Sequence, residues 1–594
     1  MITRAWIAVL ALLAAQSVLP APAGPPQGQG TYDEFVALFE QFVAARLPSA
    51  WNANFNDPAS PNHGLMDYGA HAMAERVARL DEIRSRLDDM NVASWPRDRQ
   101  SEYLAVRALF DEQEFLLRVS RPWARDPGFY VDQLQRFAFT ALPASDAKLD
   151  RLQQELAAVP EIVAAAQATL DDVATDYARL ALHTLRHADG VGHGHPYRAR
   201  PPAGVIGWYE DLLGRARESQ PGLVPAVETA LASVRGFEAW LERNMPGFRG
   251  KAGVGAARYD WYLKHAKLMP YTSDDLLLLA SQEWDRVMAW YGLARHRNRA
   301  LPELEPARTA EEYQQRIAGT DRNIREFLVR ERILTIPPYV GELDTNAPFI
   351  ERPGGPNFWE HVQFRDPHPD HLHAVVPGHR FDGLIEDNNR HPVRGRISDG
   401  VRAEGWGVYL EEAMLQAGVV AGRPRVDELI YLFGIFRAAR VPADVGMQRN
   451  EMTVEEAVRY MRERTPFLDA DVARVDAEIY LRRPPGYGVG YTIGYLQMRK
   501  LLADRRQQLG EAFVLRDFHD QFLSRGRLPM SLLRWEMTGL DDEVRQFWQR
   551  AAIPEDEPAQ AATLRRGGPS NGSGDDAIAA ESLGLVKAGV GVSE

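Results

Sequence analysis

Cysteine is absent from all 594 residues of this chain. Its absence excludes a thiolate nucleophile, a cysteine-ligated zinc, disulfide bonds and a lipid attached to an N-terminal cysteine. A positively charged stripe is also lacking, because 69 Lys and Arg are interspersed among 82 Asp and Glu. The formal net charge of −13 favours solubility and says little about substrate, and nucleic acid is not expected as a partner.

The apolar run at the N-terminus is too short to span a bilayer as a permanent helix. It extends from Ala5 to Ala15, follows Arg4 and precedes Ala21-Pro22-Ala23. This order is typical of a secretory signal peptide with a small-residue cleavage site; a membrane anchor or an ordinary buried helix is the alternative. We expect residues 1–23 to be removed, which leaves a periplasmic or secreted protein without a stable membrane anchor.

Alternation of apolar and polar residues with period two is rare, and the best strand candidates are Ile333–Gly341 and Val362–Phe364. Over most of the chain, apolar residues instead recur at three- and four-residue spacing, which is typical of amphipathic helices. The predicted helices cover Thr31–Leu47, Gly69–Met90, Gln100–Val119, Asp146–Leu182, Leu223–Asn244, Thr272–Asn298, Thr309–Leu334, Asp399–Ala417, Val426–Ala439, Thr453–Thr465 and Val489–Leu509.

A Ser- or Gly-rich linker is also lacking before residue 555. The sequence therefore predicts one large, mostly α-helical unit over residues 24–555 and not several tethered domains. From about Pro558 the composition shifts to Ala, Gly, Ser and Asp, and residues 556–594 are expected to form a disordered tail.

Histidine is concentrated in one segment, since six of the fifteen histidines fall between His361 and His391. Within it, His373 and His379 are six residues apart, and an unbroken helix would separate them by about 120°. Pro377-Gly378 lies between them and can interrupt the helix. We therefore expect a break there that lets both imidazoles converge; histidines of a polar surface loop are the alternative.

A downstream carboxylate can complete a three-ligand zinc site with this pair. Glu404 lies on the helix that Ser398-Asp399 is expected to cap. Gly405 and Gly407 lower helix propensity and, with Trp406, suit the close approach of another element. A solvated helical carboxylate is the alternative for Glu404.

Several segments together resemble one protein family. The segment His373-Ala374-Val-Val-Pro377-Gly378-His379-Arg380 is similar to H-E-x-x-P-G-H-H, and Glu404-Gly-Trp406-Gly-Val-Tyr409-Leu-Glu411 is similar to E-G-W-A-x-Y-x-E. These motifs are those of the bacterial domain-of-unknown-function family 885, which the chain resembles over about residues 31–550. Further matching segments are Trp123-Ala-Arg125-Asp126-Pro127-Gly-Phe-Tyr130, Tyr259–Leu263, Arg352-Pro353-Gly354, Pro485-Gly486 with Tyr491-x-x-Gly494, and Phe518-His519-Asp520 followed by Gly526-Arg-Leu-Pro529.

That family resembles the zincin metallopeptidases with Glu as the third ligand. The resemblance therefore implies a large helical zincin-like (gluzincin-like) domain that encloses a cleft. It also implies a zinc ion held by His373, His379 and Glu404. Tyr491 stands where a phenol could stabilise an oxyanion, and Arg380, Tyr487 and Trp406 are candidates for contact with substrate.

Four positions depart from the family pattern: Ala374 replaces the general-base Glu, Arg380 a histidine, Asp382 a glutamine, and Tyr487 the glutamine after Pro-Gly. General acid–base help is typically worth about 10²–10⁴ in rate, so Ala374 matters most. Either another carboxylate replaces the missing one, with Asp382, Glu386 and Glu411 as candidates, or the site binds without cutting, or the chemistry is not peptide hydrolysis.

Three functions follow as hypotheses. The first is an exported zinc-dependent hydrolase, resembling a metallopeptidase, that acts on short peptides or related amides. The second is a catalytically weakened relative that binds peptide or metal without efficient hydrolysis, which Ala374 favours. The third is a helical scaffold without metal.

Two further histidine features are weaker. His183 and His187, followed by His193 and His195, could share a helix face and bind a metal, although a solvated helix end is the simpler interpretation. For His519 we favour a structural hydrogen bond.

Overall fold

Helices make up most of the residues that the structure describes. It is a computed structural model that describes residues 24–47, 66–135, 141–188, 203–343, 349–352 and 354–555. Its α-helices are α1 Tyr32–Ala45, α2 Ala70–Asp88, α3 Arg97–Phe115, α4 Pro122–Arg125, α5 Pro127–Val131, α6 Asp146–Thr169, α7 Thr175–Arg186, α8 Gly204–Ser219, α9 Val224–Asn244, α10 Ala256–His265, α11 Ser273–Asn298, α12 Ala310–Arg330, α13 Phe358–Gln363, α14 His368–Ala374, α15 His379–Asp387, α16 Gly400–Ala417, α17 Val426–Gln448, α18 Val454–Arg464, α19 Ala470–Arg482, α20 Val489–Leu509, α21 Leu515–Ser524 and α22 Met530–Thr538.

Side-chain caps explain where several of these helices begin. Thr31, Thr272 and Thr453 each accept a hydrogen bond from the backbone of the third helical residue, whose own carboxylate accepts one from the capping residue in return. This reciprocal arrangement satisfies two backbone N–H groups that a helix start leaves unpaired. Asp399 caps α16, as the sequence predicts. Its side chain accepts a hydrogen bond from Arg402 N at 2.7 Å.

The mostly helical prediction is confirmed, although two predicted helices differ in extent and several helices, such as α8 and α19, lie outside the predicted set. The predicted helix Asp146–Leu182 is two helices, because the chain becomes extended at Leu170 and restarts at Thr175. The helix predicted to end at Ala439 continues through Pro442 to Gln448, and nearly all of it is buried. Burial against neighbouring helices thus overrides the local signal of a proline.

Both strand predictions are wrong. Val362 lies in α13, and Ile333–Gly341 contains only a short 3₁₀ turn at Pro338–Val340. Ile333 and Leu334 are buried, which gives the segment its apolar pattern, but Pro337 and Pro338 have no N–H to donate to a strand ladder. In the described ranges, β structure is limited to three isolated bridges.

Helices α16 and α20 come into backbone contact in the region of the histidines. A Cβ atom on Gly405 would overlap the backbone of Gly494, and one on Gly494 would overlap the carbonyl oxygen of Val401. The two glycines therefore let the backbones touch, as the sequence led us to expect for Gly405. This contact fixes α16, the helix that carries Glu404.

The described residues up to Glu555 pack as one unit. None of their helices is both long enough and apolar enough to cross a membrane. The predicted signal peptide (1–23) and the predicted tail (556–594) lie outside the described residues.

Candidate metal centre

The turn between α14 and α15 brings His373 and His379 together. Helix α14 ends at Ala374 and α15 begins at His379, so Pro377-Gly378 interrupts the helix as predicted. Gly378 is needed there because a Cβ atom would overlap the carbonyl oxygen of His373. Trp406 holds the turn from α16 by donating from Nε1 to the Pro377 carbonyl oxygen at 2.9 Å.

Three potential ligand atoms converge at this turn. The Nε2 atoms of His373 and His379 are 3.0 Å apart. Glu404 Oε2 lies 3.4 Å from the first and 3.3 Å from the second. An ideal tetrahedral zinc site with bonds of about 2.0–2.1 Å has its ligand atoms about 3.3–3.4 Å apart. The triangle therefore has the size of one face of a zinc tetrahedron.

The chemistry of this triangle fits a cation. Glu404 Oε2 is buried and has no hydrogen bond of normal geometry among the described residues, yet it faces two imidazole nitrogens. Burial acts to raise the pKa of Glu404, but His379 and His373 outweigh it and hold that pKa well below its ordinary value. The side chain of His379 is 32% exposed, so solvent reaches the cluster from that side.

His373 is oriented by a second carboxylate on α16. Its Nδ1 lies 2.7 Å from Glu411 Oε1, and Arg437 Nη2 donates to the same oxygen at 2.5 Å. An N–H at Nδ1 leaves the Nε2 lone pair free to bind a metal, which is how carboxylates commonly support metal-binding histidines. Gly407 makes room for the ring, since a Cβ there would lie 2.6 Å from His373 Nδ1.

Two tyrosines on the turn before α20 and on α20 itself support Glu404. Tyr487 donates its hydroxyl to Glu404 Oε1 at 3.0 Å, and Tyr491 donates to the Tyr487 hydroxyl at 3.4 Å. Burial, followed by the charge of Glu404, raises the pKa of Tyr487 to about 12. Both phenols are therefore neutral donors at neutral pH, and Tyr491 reaches the ligands through Tyr487.

The carboxylate of Asp382 forms ion pairs with two arginines. Its Oδ2 accepts from Arg402 Nη1 at 2.5 Å and from Arg527 Nε at 2.8 Å. Burial acts to raise the pKa of Asp382, but both guanidinium groups outweigh it and lower that pKa. A carboxylate held ionised by two arginines is a poor proton acceptor, so the geometry gives Asp382 a bracing role and no support as the general base. It ties α15, with His379, to α16, with Glu404.

Trp406 corrects another expectation from the sequence. Its side chain is fully buried and packs against Tyr409, His519 and Phe522. An indole sealed in the core cannot touch a substrate, so Trp406 supports the Pro377-Gly378 turn instead. Arg380, next to His379, is partly exposed and stays a candidate for substrate contact, as does Tyr487.

The other predicted residues are less involved. Ala374 is the last residue of α14, and Glu411 supports His373 from the side opposite Nε2. Glu386 is partly buried, and burial raises its pKa; its role as a base stays a prediction.

The other histidines that the structure describes do not form a second cluster of this kind. Among the described residues, only His373, His379 and Glu404 bring three such ligand atoms together, all within 4.8 Å of one another. The rings of His183 and His187 are 4.9 Å apart, while His193 and His195 lie outside the described residues. His519 is structural, as favoured, because its two nitrogens meet Tyr409 Oη and the Ile333 carbonyl oxygen at 2.8 Å each.

The sequence missed two supports of the site. Arg437 is 64 residues from His373 along the chain, and no local pattern connects them. The sequence suggests Glu411 only as a possible base. Its spacing of seven residues from Glu404 nevertheless places both carboxylates on one helix face. That shared face is the signal that could have identified Glu411 as a support.

A comparison with protein-family models supports the family resemblance over part of the chain. A family model described as "Bacterial protein of unknown function (DUF885)" matches residues 371–537, the segment that contains all three candidate ligands. No curated protein matches the chain.

Two solved structures have a similar fold. One is a "putative lipoprotein of unknown function" from Shewanella oneidensis, with a TM-score of 0.65 and 16% identity, covering 86% of this chain and 100% of its own. The other, a protein from Colwellia psychrerythraea that is also described as a "putative lipoprotein", has a TM-score of 0.61 and 16% identity, covering 85% and 98%. At this identity the likeness shows the fold alone.

Proposed function

We propose that this chain is a zinc-dependent hydrolase of zincin-like architecture that cleaves amide bonds in short peptides or related compounds. The observation that carries the proposal is the triangle of His373 Nε2, His379 Nε2 and Glu404 Oε2, with sides of 3.0–3.4 Å. Two imidazoles and one carboxylate are the ligand set of several zinc hydrolases, which leave the fourth position open.

The residues divide the work as follows. Zinc in such a site supplies Lewis-acid activation of water and of a carbonyl group. His373, His379 and Glu404 would hold the ion, and Glu411 keeps the proton of His373 on Nδ1. Tyr487 uses its O–H to fix the second oxygen of Glu404, and Tyr491 donates to the Tyr487 hydroxyl. Tyr491 would donate to a developing oxyanion after its hydroxyl turns away from Tyr487.

A second function is favoured by one specific observation. Ala374 cannot accept a proton, and Asp382 is held by two arginines. The same metal site would then bind a peptide without efficient hydrolysis. The two functions share the zinc and differ in turnover.

Elemental analysis of the purified protein, combined with a peptide-library cleavage assay on the same sample, separates these functions. Zinc at one equivalent with turnover supports the hydrolase, and zinc without turnover supports the binding protein. Glu404→Gln should lose the zinc, whereas His71→Ala, an exposed histidine outside the site, should keep it. Absence of zinc from a protein purified and refilled with zinc would refute both functions.

We also propose that the protein acts outside the cytoplasm. The signal-like N-terminus and the description of both structural neighbours as lipoprotein candidates support this location. N-terminal sequencing of the protein from its native host should find a mature chain that begins at Gly24. A chain that retains residues 1–23 in the cytoplasm would contradict it.

A further inference from the structure

A small pocket borders the segment Leu481–Pro485, and none of the three candidate metal ligands lines it. Its volume is about 50 Å³. On this measure one water needs about 10–15 Å³, so the pocket has room for a group of a few heavy atoms. Apolar walls come from Phe115, Leu116 and Val254.

The pocket gathers segments that the metal site does not use. Asp126, Tyr262 and Pro485 line it, and each comes from a different segment that carries the family resemblance. Most of its charged lining is paired: Arg482 Nε donates to Asp126 Oδ2 at 2.8 Å, Glu112 accepts from Tyr262 Oη at 3.2 Å, and Arg125 Nε lies 3.4 Å from Asp172 Oδ2. A neutral ligand therefore suits the pocket better than an ion.

Gln448 offers the pocket a buried acceptor that no described residue pairs with. Gln448 is 1% exposed, and its Nε2 donates to the Tyr480 carbonyl oxygen at 2.9 Å. Oε1, on the other side of the same amide, is buried without a hydrogen bond from any described residue. The hydroxyl of Tyr177, which also lines the pocket, directs its one proton to the carbonyl oxygens of Ala252 and Leu481, at 3.0 and 3.2 Å. A buried acceptor without a donor is destabilising, so a ligand that brings an N–H or O–H group is favoured here.

We propose that this pocket binds a small neutral apolar group that donates one hydrogen bond to Gln448 Oε1. The group can be a side chain of the peptide proposed above or a separate small molecule. Contacts connect the pocket to the metal site, since Arg483, in its lining, stacks 4.3 Å from the ring of Tyr487, and Tyr487 donates to Glu404. Binding to the pocket does not require hydrolysis or metal.

Two probes of equal size test the hydrogen bond. 2-Methylpropan-1-ol has an O–H donor, whereas in 1-fluoro-2-methylpropane fluorine replaces it. Saturation-transfer NMR titrations of the mature protein, with and without EDTA, should show about tenfold tighter binding of the alcohol, as expected for one buried hydrogen bond. Equal binding of the two probes, or no binding of either, would overturn the proposal.

Substitutions in the pocket test where the alcohol binds. Gln448→Leu should weaken binding of the alcohol about tenfold and remove its preference over the fluoride. The matched control is Gln497→Leu, because Gln497 is also buried with an unpaired Oε1 but lies outside the pocket lining. Since Gln448→Leu also removes the bond to Tyr480, Val254→Phe provides a second test by filling the pocket from another wall. Folded Val254→Phe that binds the alcohol with unchanged affinity would contradict this location.

Competition identifies the source of the group. If a peptide side chain occupies the pocket, the alcohol should raise KM of the zinc-loaded protein for its peptide. If a separate molecule does, KM should stay unchanged while the alcohol binds. Binding in EDTA without any hydrolysis would uphold the pocket and count only against the hydrolase.

Discussion

The residue with the greatest effect on the proposed chemistry is Ala374. It is the last residue of α14, one position after His373, where the resembling family has its general base. We predict that Ala374→Glu increases the rate of peptide hydrolysis by about 10²-fold or more, the lower range for general-base help. Steady-state kinetics on zinc-loaded protein measure it, with Ala374→Gln as the control of equal size.

The two variants of Ala374 separate base chemistry from shape. A rate gain shared by Glu and Gln would assign the effect to packing and not to proton transfer. No gain in a zinc-loaded Ala374→Glu protein would mean that substrate geometry, and not just the base, differs from that of a peptidase.

Glu411 provides the second prediction at the residue scale. Because its carboxylate lies 2.7 Å from His373 Nδ1, Glu411→Gln should reduce zinc affinity about 10- to 100-fold, the usual effect of removing such a support. Competition with a chromophoric chelator measures the affinity. Glu412→Gln is the matched control, since the neighbouring Glu412 pairs with Arg286 and does not reach the histidines.

The unfolding temperature of each variant must be compared with that of the parent. Arg437 loses its buried partner in Glu411→Gln, and an unpaired buried charge is destabilising. Equal zinc affinity of Glu411→Gln and Glu412→Gln in folded protein would show that Glu411 only neutralises Arg437.

At the scale of elements, the sequence predicts the long helices well and the short ones poorly. Helix α11 has buried residues at intervals from Leu276 to Asn298 and α12 from Tyr313 to Leu328, and Thr272 caps α11 with a clear signal. By contrast, α14 has only seven residues. It is held by tertiary bonds such as His371 Nε2 to Asp321 Oδ1 at 2.9 Å. A local sequence pattern cannot reveal a helix that is stabilised by residues far away along the chain.

In the candidate site, too, the sequence predicts the features that are local and misses those that depend on distant residues. The convergence of His373 and His379 follows from their spacing and the Pro377-Gly378 break, both of which are local. Arg437 and the bond from Tyr487 to Glu404 depend on how α17 and α20 pack against α16, which no local pattern reveals.

The contact of α16 with α20 gives a prediction for this scale. A Cβ atom on Gly494 would overlap the carbonyl oxygen of Val401 and lie 2.8 Å from Gly405 Cα, so Gly494→Ala must push the helices apart. We expect a loss of about 1–3 kcal/mol in the free energy of unfolding, as for other overpacked sites. Zinc affinity should fall with it, because α16 carries Glu404.

The control for this helix pair is Gly400→Ala. Gly400 is the first residue of α16, and a Cβ there meets no atom within 4 Å. Its stability should therefore change little or rise slightly. Urea unfolding of both variants measures the difference, and equal stability of the two would contradict a tight backbone contact.

At the scale of the whole molecule, a buried acid couples stability to pH. Asp444 is fully buried and accepts hydrogen bonds from Tyr259 Oη at 2.9 Å and Gly488 N at 2.7 Å. Burial raises its pKa from 3.8 to about 7 despite these bonds. Asp444 thereby anchors the turn that carries Tyr487 to α17, in the interior of the helical unit.

The sign of the pH effect follows from the two pKa values. As pH rises from about 4 to about 7, the unfolded chain releases the proton of Asp444 while the folded protein keeps it, so the contribution of Asp444 to stability falls across this window. Each pKa unit corresponds to about 1.4 kcal/mol, which limits the fall to about 4 kcal/mol.

The variant Asp444→Asn tests this effect because it cannot ionise. Its side-chain amide can still accept a hydrogen bond from Gly488 N and can donate one to the hydroxyl of Tyr259. We therefore predict that the free energy of unfolding of the metal-free wild type declines relative to Asp444→Asn between pH 4 and 7, measured by urea unfolding at several pH values. For the control Asp285→Asn, at an exposed position in α11, the free energy of unfolding should change with pH in the same way as that of the wild type. If that of Asp444→Asn also changes in this way, the carboxyl group does not hold its proton in the folded protein.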